Sequence, residues 1–215
     1  MEQELKKLDS IMIKYISALK VLETQLEIIN DDFSYIKNYN PIEHIKTRIK
    51  SADSIIKKLH NDGYEFTIEN VEKYINDVVG VRIICTFEYD IKDIVDIIRK
   101  SKLIRVIKEK DYIKNPKEIG YRSYHLIVEV PVEMINGVVN VRAEIQIRTL
   151  AMDLWASLEH KLCYKSRYCT PEIEERLTEI SDELNVIDLE MNELLIQEQN
   201  LRRIAKGESI DEETD

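Results

Sequence analysis

Apolar and polar side chains alternate along residues 141–147, and this alternation constrains the fold more than any other stretch of the sequence. Because successive side chains of a β-strand point to opposite faces, such a strand has one apolar and one polar face. The Asn136–Gly137 dipeptide in front of it is a strong hairpin signal, and Tyr121–Val130 predicts the partner strand. The apolar positions are Val141, Ala143, Ile145 and Ile147, and the polar positions are Arg142, Glu144, Gln146 and Arg148. The sequence therefore predicts a sheet with one buried face.

The remaining patterns predict further strands and helices around this hairpin. Val78–Phe87 is rich in Val and Ile and is typical of a buried strand, and Leu103–Lys110 is a second strand candidate. Helices are predicted roughly from Ile42 to Leu59, near Glu69–Tyr74, over Asp90–Lys100 and Leu150–Tyr164, and over a long stretch beginning near Pro171. We therefore expect an α/β (α+β) fold in which a mixed sheet is flanked by helices.

Apolar residues recur at spacings of three and four in both terminal segments. The N-terminal seam is Leu5, Leu8, Met12, Tyr15, Leu19, Leu22, Leu26 and Ile29, and the C-terminal seam is Leu177, Ile180, Leu184, Ile187, Met191, Leu194 and Leu201. Such a seam packs either on the body of its own chain or on another chain, and the pattern alone favours neither. We expect an N-terminal helix over 1–40, a central domain over 41–170, a C-terminal helix over 171–206 and an acidic, disordered tail over 207–215.

The charge of the chain is unevenly distributed. The formal net charge is −10, but residues 171–215 carry four Lys or Arg against fifteen Asp or Glu, whereas residues 36–125 carry eighteen against fourteen. The mildly basic middle is compatible with a polyanionic ligand. So few spare cations argue against binding of long nucleic acid through charge alone.

The cysteines Cys85, Cys163 and Cys169 bear on the compartment. An odd number without a close pair is typical of a reducing environment rather than of a disulfide framework, and no CxxC or Cys/His cluster suggests zinc. No apolar run approaches the length of a membrane span, and the first ten residues lack the pattern of a signal peptide. We therefore expect a cytoplasmic protein with no membrane partner.

Two polar stretches of the predicted sheet suit a metal-bound phosphate. The polar row of the 141–147 strand combines the Glu144 carboxylate with an amide and two guanidinium groups, although a solvated outer face is the common alternative. Asp77 enters a strand that also contains Arg82, and an Arg within an apolar strand is costly unless it is paired or liganded. Asp77 is therefore either an oxygen ligand for Mg²⁺ or half of an Asp–Arg pair.

A third stretch, residues 114–125, adds cations and an aromatic side chain. Its lysines lead into a predicted strand on which Tyr121, Ser123 and His125 share a face. Tyr121 is suited to stack on a base while the cations hold phosphates. The alternatives are a core aromatic residue for Tyr121 and a satisfied buried imidazole for His125.

A fourth stretch, residues 48–54, carries Arg48, Lys50 and Ser54. These side chains either converge on a triphosphate near a helix or form a solvated basic helix face. Spacing alone favours the solvated face.

Taken together, these stretches resemble the synthetase domain of the RelA/SpoT-like family, and specifically the small alarmone synthetases. The matching runs are RIKSADS (48–54), DVVGVRI (77–83), NPKEIGYRSYH (115–125) and VRAEIQIRTLAMDLWASLEHK (141–161). They occur in the order and at the spacing of the family and span about half of the chain. Four linked motifs are a specific signal. The Gly-rich P-loop is absent, so the resemblance implies a different way of binding phosphates.

The resemblance implies a nucleotidyltransferase-like fold, with residues 41–170 as the catalytic domain and the terminal helices serving packing or oligomerisation. It implies a Mg²⁺-dependent transfer of pyrophosphate from ATP to the 3′-hydroxyl of GTP or GDP, and often GMP, which produces the alarmones (p)ppGpp.

The roles of single residues follow from the same resemblance. Arg48 and Arg82 are expected to sandwich adenine, and Lys50 and Ser54 to bind the phosphates of ATP. Asp77 and Glu144 are the expected Mg²⁺ ligands, and Glu144 also helps to deprotonate the acceptor hydroxyl. Tyr121 is expected to stack on guanine, with Lys117, His125 and Gln146 as further acceptor contacts.

The resemblance also bears on partners and on the limits of the activity. Many small synthetases are homotetramers, so a homo-oligomer is expected, and single-stranded RNA is a candidate partner. The sequence has no His–Asp dipeptide of the kind found in the hydrolase site of larger relatives, and no segment that matches their ribosome-sensing domains. We expect synthesis without hydrolysis. His44, Lys46 and Asp153 depart from the family pattern, which has Asn at the last of these positions.

Two other functions are compatible with the motifs. Toxic relatives transfer pyrophosphate to the 3′ end of tRNA, and the acidic C-terminal helix argues against this reaction because a tRNA body needs a basic surface. The second of these functions is that of a regulatory module that binds a nucleotide or RNA without catalysing a reaction. The presence of both Asp77 and Glu144 argues against it, because a binding module does not need two carboxylates for Mg²⁺. The strands between residues 78 and 148 argue against a purely helical adaptor.

Overall fold

The computed structural model describes residues 2–36, 39–163, 166 and 168–207. The helices are α1 (Glu2–Ile36), α2 (Ala52–Asn61), α3 (Ile68–Tyr74), α4 (Glu88–Lys100), α5 (Leu150–Leu162) and α6 (Pro171–Ala205). The strands are β1 (Ile42–Ile49), β2 (Val79–Cys85), β3 (Arg105–Asp111), β4 (Tyr124–Met134) and β5 (Gly137–Thr149). The predicted α/β class, a mixed sheet flanked by helices, is confirmed.

The five strands form one sheet in the order β1-β2-β5-β4-β3. β2 and β5 run parallel to each other, and the other neighbours are antiparallel. β4 and β5 form the predicted hairpin, in which Gly137 has a positive φ of 116° that favours glycine. The two strands that carry most of the candidate residues, β2 and β5, therefore lie side by side in the sheet.

One face of this sheet carries the main hydrophobic core. The apolar positions of β5 are buried there together with Leu22 and Leu26 of α1 and Ile94 and Ile98 of α4. Full burial of side chains of this kind stabilises a fold by roughly 1.5–3 kcal/mol each. The predicted alternation is thus confirmed, and the polar row of β5 lies on the opposite face.

A second, smaller core joins α5, α6 and the loop before β4. It contains Trp155 and Leu177, with Tyr121 packed against it, and the indole Nε1 of Trp155 donates a hydrogen bond of 2.7 Å to the carbonyl of Leu177. Ser181 of α6 donates to the carbonyl oxygen of Gly120. This core therefore fixes the loop that carries Tyr121.

The helix predicted from Ile42 to Leu59 is wrong in its first half. Residues 42–49 form β1, which pairs antiparallel with β2, and the helix begins only at Ala52, where the Ser51 side chain accepts a hydrogen bond from the amide of Ser54. β-Branched residues favour a strand at this position, and the Ser51 cap starts a new helix. The strand predicted from Tyr121 also begins later, at Tyr124.

The expectation of no disulfide is wrong as well. Cys163 and Cys169 are joined by a disulfide between the end of α5 and the start of α6, with their Cα atoms 4.8 Å apart. Six positions separate them, and the chain reversal between the two helices brings them together. Cys85 is a buried thiol in β2.

The two terminal seams have different environments. In α1, Leu8, Tyr15, Leu22, Leu26 and Ile29 are buried in the main core, which supports packing within the chain. In α6 only the beginning of the seam is covered. Leu177 is buried, whereas Ile187, Met191, Leu194 and Leu201 are 46–67% exposed.

None of the helices in the described ranges is both long and apolar enough to cross a membrane. Residues 208–215 of the predicted tail lie outside the described residues.

Candidate active site

The sheet brings the candidate residues of β1, β2, β4 and β5 together. In the strand register, Gly80 of β2 lies opposite both Glu144 of β5 and Arg48 of β1. Two positions further along, on the same face of the sheet, Arg82 and Gln146 are opposite each other. Segments that are far apart in sequence thus meet at one place on the polar side of the sheet.

Five side chains, one of which is Glu144, form a closed ring of hydrogen bonds. The Glu144 Oε1 lies 3.2 Å from His125 Nδ1, and His125 Nε2 lies 2.7 Å from the Tyr121 hydroxyl. Arg148 Nη2 donates to that hydroxyl at 2.6 Å and to Gln146 Oε1 at 3.0 Å. Gln146 Nε2 closes the ring by donating to Glu144 Oε2 at 2.9 Å. Connected hydrogen bonds of this kind fix the orientation of every member.

Asp77 is held by two lysines. Its carboxylate accepts hydrogen bonds from Lys50 and, at 2.8 Å, from Lys58. Burial alone would raise the pKa of Asp77, but the two ammonium groups outweigh it and lower the pKa below the ordinary value. Asp77 therefore carries a negative charge at neutral pH. The alternative Asp77–Arg82 pair is wrong, because Arg82 pairs with Asp153 at 3.0 Å.

Glu144 is also ionised. Burial raises the pKa of Glu144, but the contacts with His125 and Gln146 lower it by more, and the net result is a pKa below the ordinary value. The charge of Asp77 acts in the opposite direction and raises the pKa of Glu144. The two carboxylates thus lie close enough to repel each other.

The carboxylate pair fits a hard divalent cation. Mg²⁺ prefers oxygen ligands and commonly takes one or two carboxylates together with waters and substrate phosphates. Among the described residues no group of three or more His, Cys, Asp or Glu side chains is suited to hold a metal. Because Mg²⁺ needs more than two ligands, an ion held by Asp77 and Glu144 would take its remaining ligands from substrate phosphates or water.

The residues of the 48–54 stretch do not form a basic helix face. Arg48 lies on β1 and its side chain crosses β2 over Gly80, where a Cβ atom would lie 3.1 Å from Arg48 Nε. Lys50 follows β1 and binds Asp77. Of the three candidate residues only Ser54 is helical. It is exposed in the first turn of α2, and its hydroxyl accepts a hydrogen bond from Ser51 Oγ at 2.9 Å.

The loop before β4 places an aromatic ring and a cation beside the ring of hydrogen bonds. Lys117 Nζ lies 4.9 Å from the centroid of the Tyr121 ring and 5.0 Å from that of Tyr112, within the range of cation–π attraction. Tyr121 also packs against Trp155 in the second core. Residues 121 and 123 precede β4, so the predicted shared strand face is wrong, although Tyr121 still contacts His125.

The sequence analysis named Arg148 only as a member of the polar row and Asp153 only as a departure from the family pattern, and it gave Lys58 no role. Arg148 is 4% exposed and Asp153 is 9% exposed. Because burying an unpaired guanidinium is costly, a buried Arg148 would need a partner of opposite charge or a hydrogen-bond acceptor. The identity of that partner, on the following helix, could not be read from spacing.

The geometry combines two ionised carboxylates, several cations and a tyrosine ring. Lys50 and Lys58 bind Asp77, and Arg48 lies over Gly80, which is opposite Glu144 in the strand register. Arg82 lies on the same strand as Gly80, and Tyr121 belongs to the ring of hydrogen bonds that contains Glu144. Phosphates, a metal ion and a base each find matching groups here.

The chain belongs to the RelA/SpoT family, because residues 47–168 match the region found in RelA / SpoT proteins. It is 45% identical over 181 residues to GTP pyrophosphokinase YwaC of Bacillus subtilis, covering 84% of this chain and 86% of that protein. The crystal structure of small alarmone synthetase 1 of B. subtilis bound to its product pppGpp has a TM-score of 0.82 and 34% identity over 89% of this chain and 98% of that one. The same synthetase bound to AMPCPP has a TM-score of 0.76 and 33% identity over 91% and 99%.

Proposed function

We propose that this chain is a GTP pyrophosphokinase that transfers the terminal pyrophosphate of ATP to the 3′-hydroxyl of GTP or GDP, and of GMP as a further acceptor. The relative named GTP pyrophosphokinase and the solved structures with pppGpp and AMPCPP support this reaction. The observation that carries the proposal is the pair of ionised carboxylates, Asp77 and Glu144, set between cations on one side and Tyr121 on the other.

On the donor side, we propose that Arg48 and Arg82 hold adenine and that Lys50 and Ser54 bind the phosphates. Arg48 and Arg82 lie on neighbouring strands, and Arg82 Nε is a buried donor without a hydrogen-bond partner among the described residues. Such a donor is costly unless a ligand satisfies it. Lys50 lies next to Asp77, so phosphates bound there would adjoin the carboxylate pair.

On the acceptor side, we propose that Tyr121 stacks on guanine and that Lys117, His125 and Gln146 complete the contacts. Lys117 already lies over the Tyr121 ring. His125 and Gln146 both contact Glu144, so an acceptor nucleotide that binds them brings its ribose close to this carboxylate.

The proposed chemistry depends on position and charge more than on covalent help. The acceptor 3′-oxygen forms a bond to the β-phosphorus of ATP, the bond from that phosphorus to the α-phosphate oxygen breaks, and AMP leaves. The proton of the 3′-hydroxyl passes to Glu144, whose low pKa keeps it in the basic form. Mg²⁺ held by Asp77 and Glu144 would supply charge neutralisation for the polyphosphate and make the hydroxyl more acidic. His125 and Gln146 orient the Glu144 carboxylate throughout.

A labelling assay tests the proposal. Purified protein, Mg²⁺ and γ-labelled ATP are incubated separately with GTP, GDP, GMP or tRNA, and label on a guanosine nucleotide with release of AMP is the expected result. Label on tRNA would move the activity to the toxic branch of the family. ATP binding without transfer to any acceptor would leave a binding module. In a parallel reaction with (p)ppGpp alone we expect no release of pyrophosphate, since we propose synthesis without hydrolysis.

A further inference from the structure

Arg148 connects two residues of the proposed acceptor site, Tyr121 and Gln146, to Asp153 of α5. The Arg148 side chain is 4% exposed. Its guanidinium donates to Tyr121 and Gln146 through Nη2, at 2.6 and 3.0 Å, and to Asp153 through Nη1, at 3.1 Å. The guanidinium carbon also lies 5.1 Å from the centroid of the Tyr121 ring. Arg148 therefore holds two acceptor-side residues with one end and a carboxylate of α5 with the other.

Asp153 carries this connection to the donor side. Its Oδ1 accepts from Arg148 Nη1 and, at 3.0 Å, from Arg82 Nη1, while Lys46 lies 3.9 Å from its Oδ2. Burial and the charge of Arg148 lower the pKa of Arg82, which reflects the repulsion between the two guanidinium groups. One buried carboxylate therefore holds two like charges side by side, and removing it would leave both uncompensated.

We propose that Arg148 and Asp153 form a buried bridge that fixes the acceptor site relative to the donor site. The inference rests on the proposed function, which places Tyr121 and Gln146 at the acceptor and Arg82 at the donor. Both members of the bridge are positioning residues, because they act through Tyr121, Gln146 and Arg82. Reactions between two bound substrates are sensitive to such alignment, and a displacement of about 1 Å costs on the order of 100-fold in rate.

The bridge predicts that one substitution affects both substrates. In Asp153→Ala, Arg82 and Arg148 lose their shared anchor, so the KM for ATP and the KM for GDP should each rise by about tenfold, the effect of one lost anchoring contact. The value of kcat should fall by about 100-fold as alignment is lost. In Asp153→Asn an amide oxygen replaces Oδ1 and still accepts from both guanidinium groups, so both KM values should lie closer to wild type than to Asp153→Ala.

Steady-state kinetics with each substrate varied in turn, on folded protein checked by thermal unfolding, provide the test. Asp90→Ala is the matched control. Asp90 is a fully buried carboxylate on α4 that accepts a hydrogen bond from the Tyr39 hydroxyl. Because α4 packs on the apolar face of the sheet, Asp90 lies away from the polar face that carries the candidate site. The Asp90→Ala variant should lose stability but keep both KM values near those of wild type. A rise in the KM of only one substrate in Asp153→Ala, or equal KM changes in Asp153→Ala and Asp90→Ala, would overturn the bridge.

A double-mutant cycle adds a second readout. If Arg148 and Asp153 act as one unit, the effects of Arg148→Met and Asp153→Ala on kcat/KM should be non-additive, with the double variant little worse than the poorer single variant. Additive effects would refute the bridge. Wild-type turnover is measured in the same assay, so a failure of the proposed function appears as no product from wild type. A failure of the bridge appears as an active enzyme whose variants lack this pattern.

Discussion

Glu144 is held on both of its carboxylate oxygens, by His125 on one and by Gln146 on the other. A Gln side chain at this position keeps the shape but can neither carry the negative charge nor accept the acceptor proton. We expect Glu144→Gln to lower the rate of pyrophosphate transfer by at least about 100-fold, the usual contribution of a positioned base. The labelling assay measures the loss, and circular dichroism should give an unchanged spectrum. A folded variant with near-normal turnover would remove Glu144 from the chemistry.

Gly80 allows Arg48 to lie across β2. A Cβ atom at residue 80 would approach Arg48 Nε to 3.1 Å and Arg48 Cγ to 3.2 Å, which is tighter than most real Cβ contacts. Both atoms belong to a flexible side chain rather than to the backbone, so Gly80→Ala should displace Arg48 at little cost in stability. We expect a several-fold higher KM for ATP and an unchanged KM for GDP. Equal changes in both would show that Arg48 does not serve the donor side alone.

Glu88, at the start of α4, carries a charge that the fold disfavours. Burial and the nearby charge of Asp188 raise the pKa of Glu88 above the ordinary value, while Arg122 acts in the opposite direction. Because the folded state then binds this proton more tightly than the unfolded chain, the residue weakens folding at neutral pH, and the penalty disappears as the pH falls through the raised pKa. Glu88→Gln should therefore have the higher Tm at pH 7, with the difference shrinking towards about pH 4. A variant that is less stable than wild type at pH 7 would contradict this.

At the scale of elements, the connection between α5 and α6 decides how the loop before β4 is held. The Cys163–Cys169 disulfide closes a short loop between these helices, and α6 in turn contacts Gly120 through Ser181. Closing a loop of this size stabilises a fold by about 2 kcal/mol. We expect a reductant to lower the free energy of unfolding in urea by up to about that amount.

Cys163→Ser serves as the control for this prediction. The variant should unfold like the reduced wild type and should not respond to reductant. Peptide mapping without reduction should recover the two cysteines in one linked peptide. Identical unfolding curves for oxidised and reduced wild type would show that the disulfide contributes nothing to stability.

The elements also show which parts of the structure the sequence could predict. The period of two along β5 and the Asn136–Gly137 turn are local signals, so the hairpin and its faces followed from them directly. β1 was missed because its alternation is imperfect and it runs on into a helix after two residues. The pairing of Arg148 with Asp153 and of Asp77 with Lys58 depends on how separate elements pack, and no local pattern encodes it.

At the scale of the whole molecule, the second half of α6 has an apolar seam that the described part of the chain leaves exposed. Met191 and Leu194 are 47% and 55% exposed, and they line an open cleft of about 980 Å³ beside Ile36 and Tyr39. Contiguous exposed apolar surface of this kind is typical of contacts between proteins. We therefore propose that the seam pairs with other copies of this chain in a homo-oligomer, with a tetramer as the expected form.

Charge reversal along the seam tests this assembly. Light scattering coupled to gel filtration should give a multiple of the 25.4 kDa chain mass for wild type. The double variant Met191→Glu/Leu194→Glu should give a smaller mass, because unpaired carboxylates are strongly disfavoured when they are buried in an apolar contact. Ile196→Glu makes the same chemical change at a residue that is 48% exposed, and it lies about 200° around the helix from Leu194. This control should keep the wild-type mass. A monomeric wild type, or equal dissociation of both variants, would show that the seam does not direct assembly.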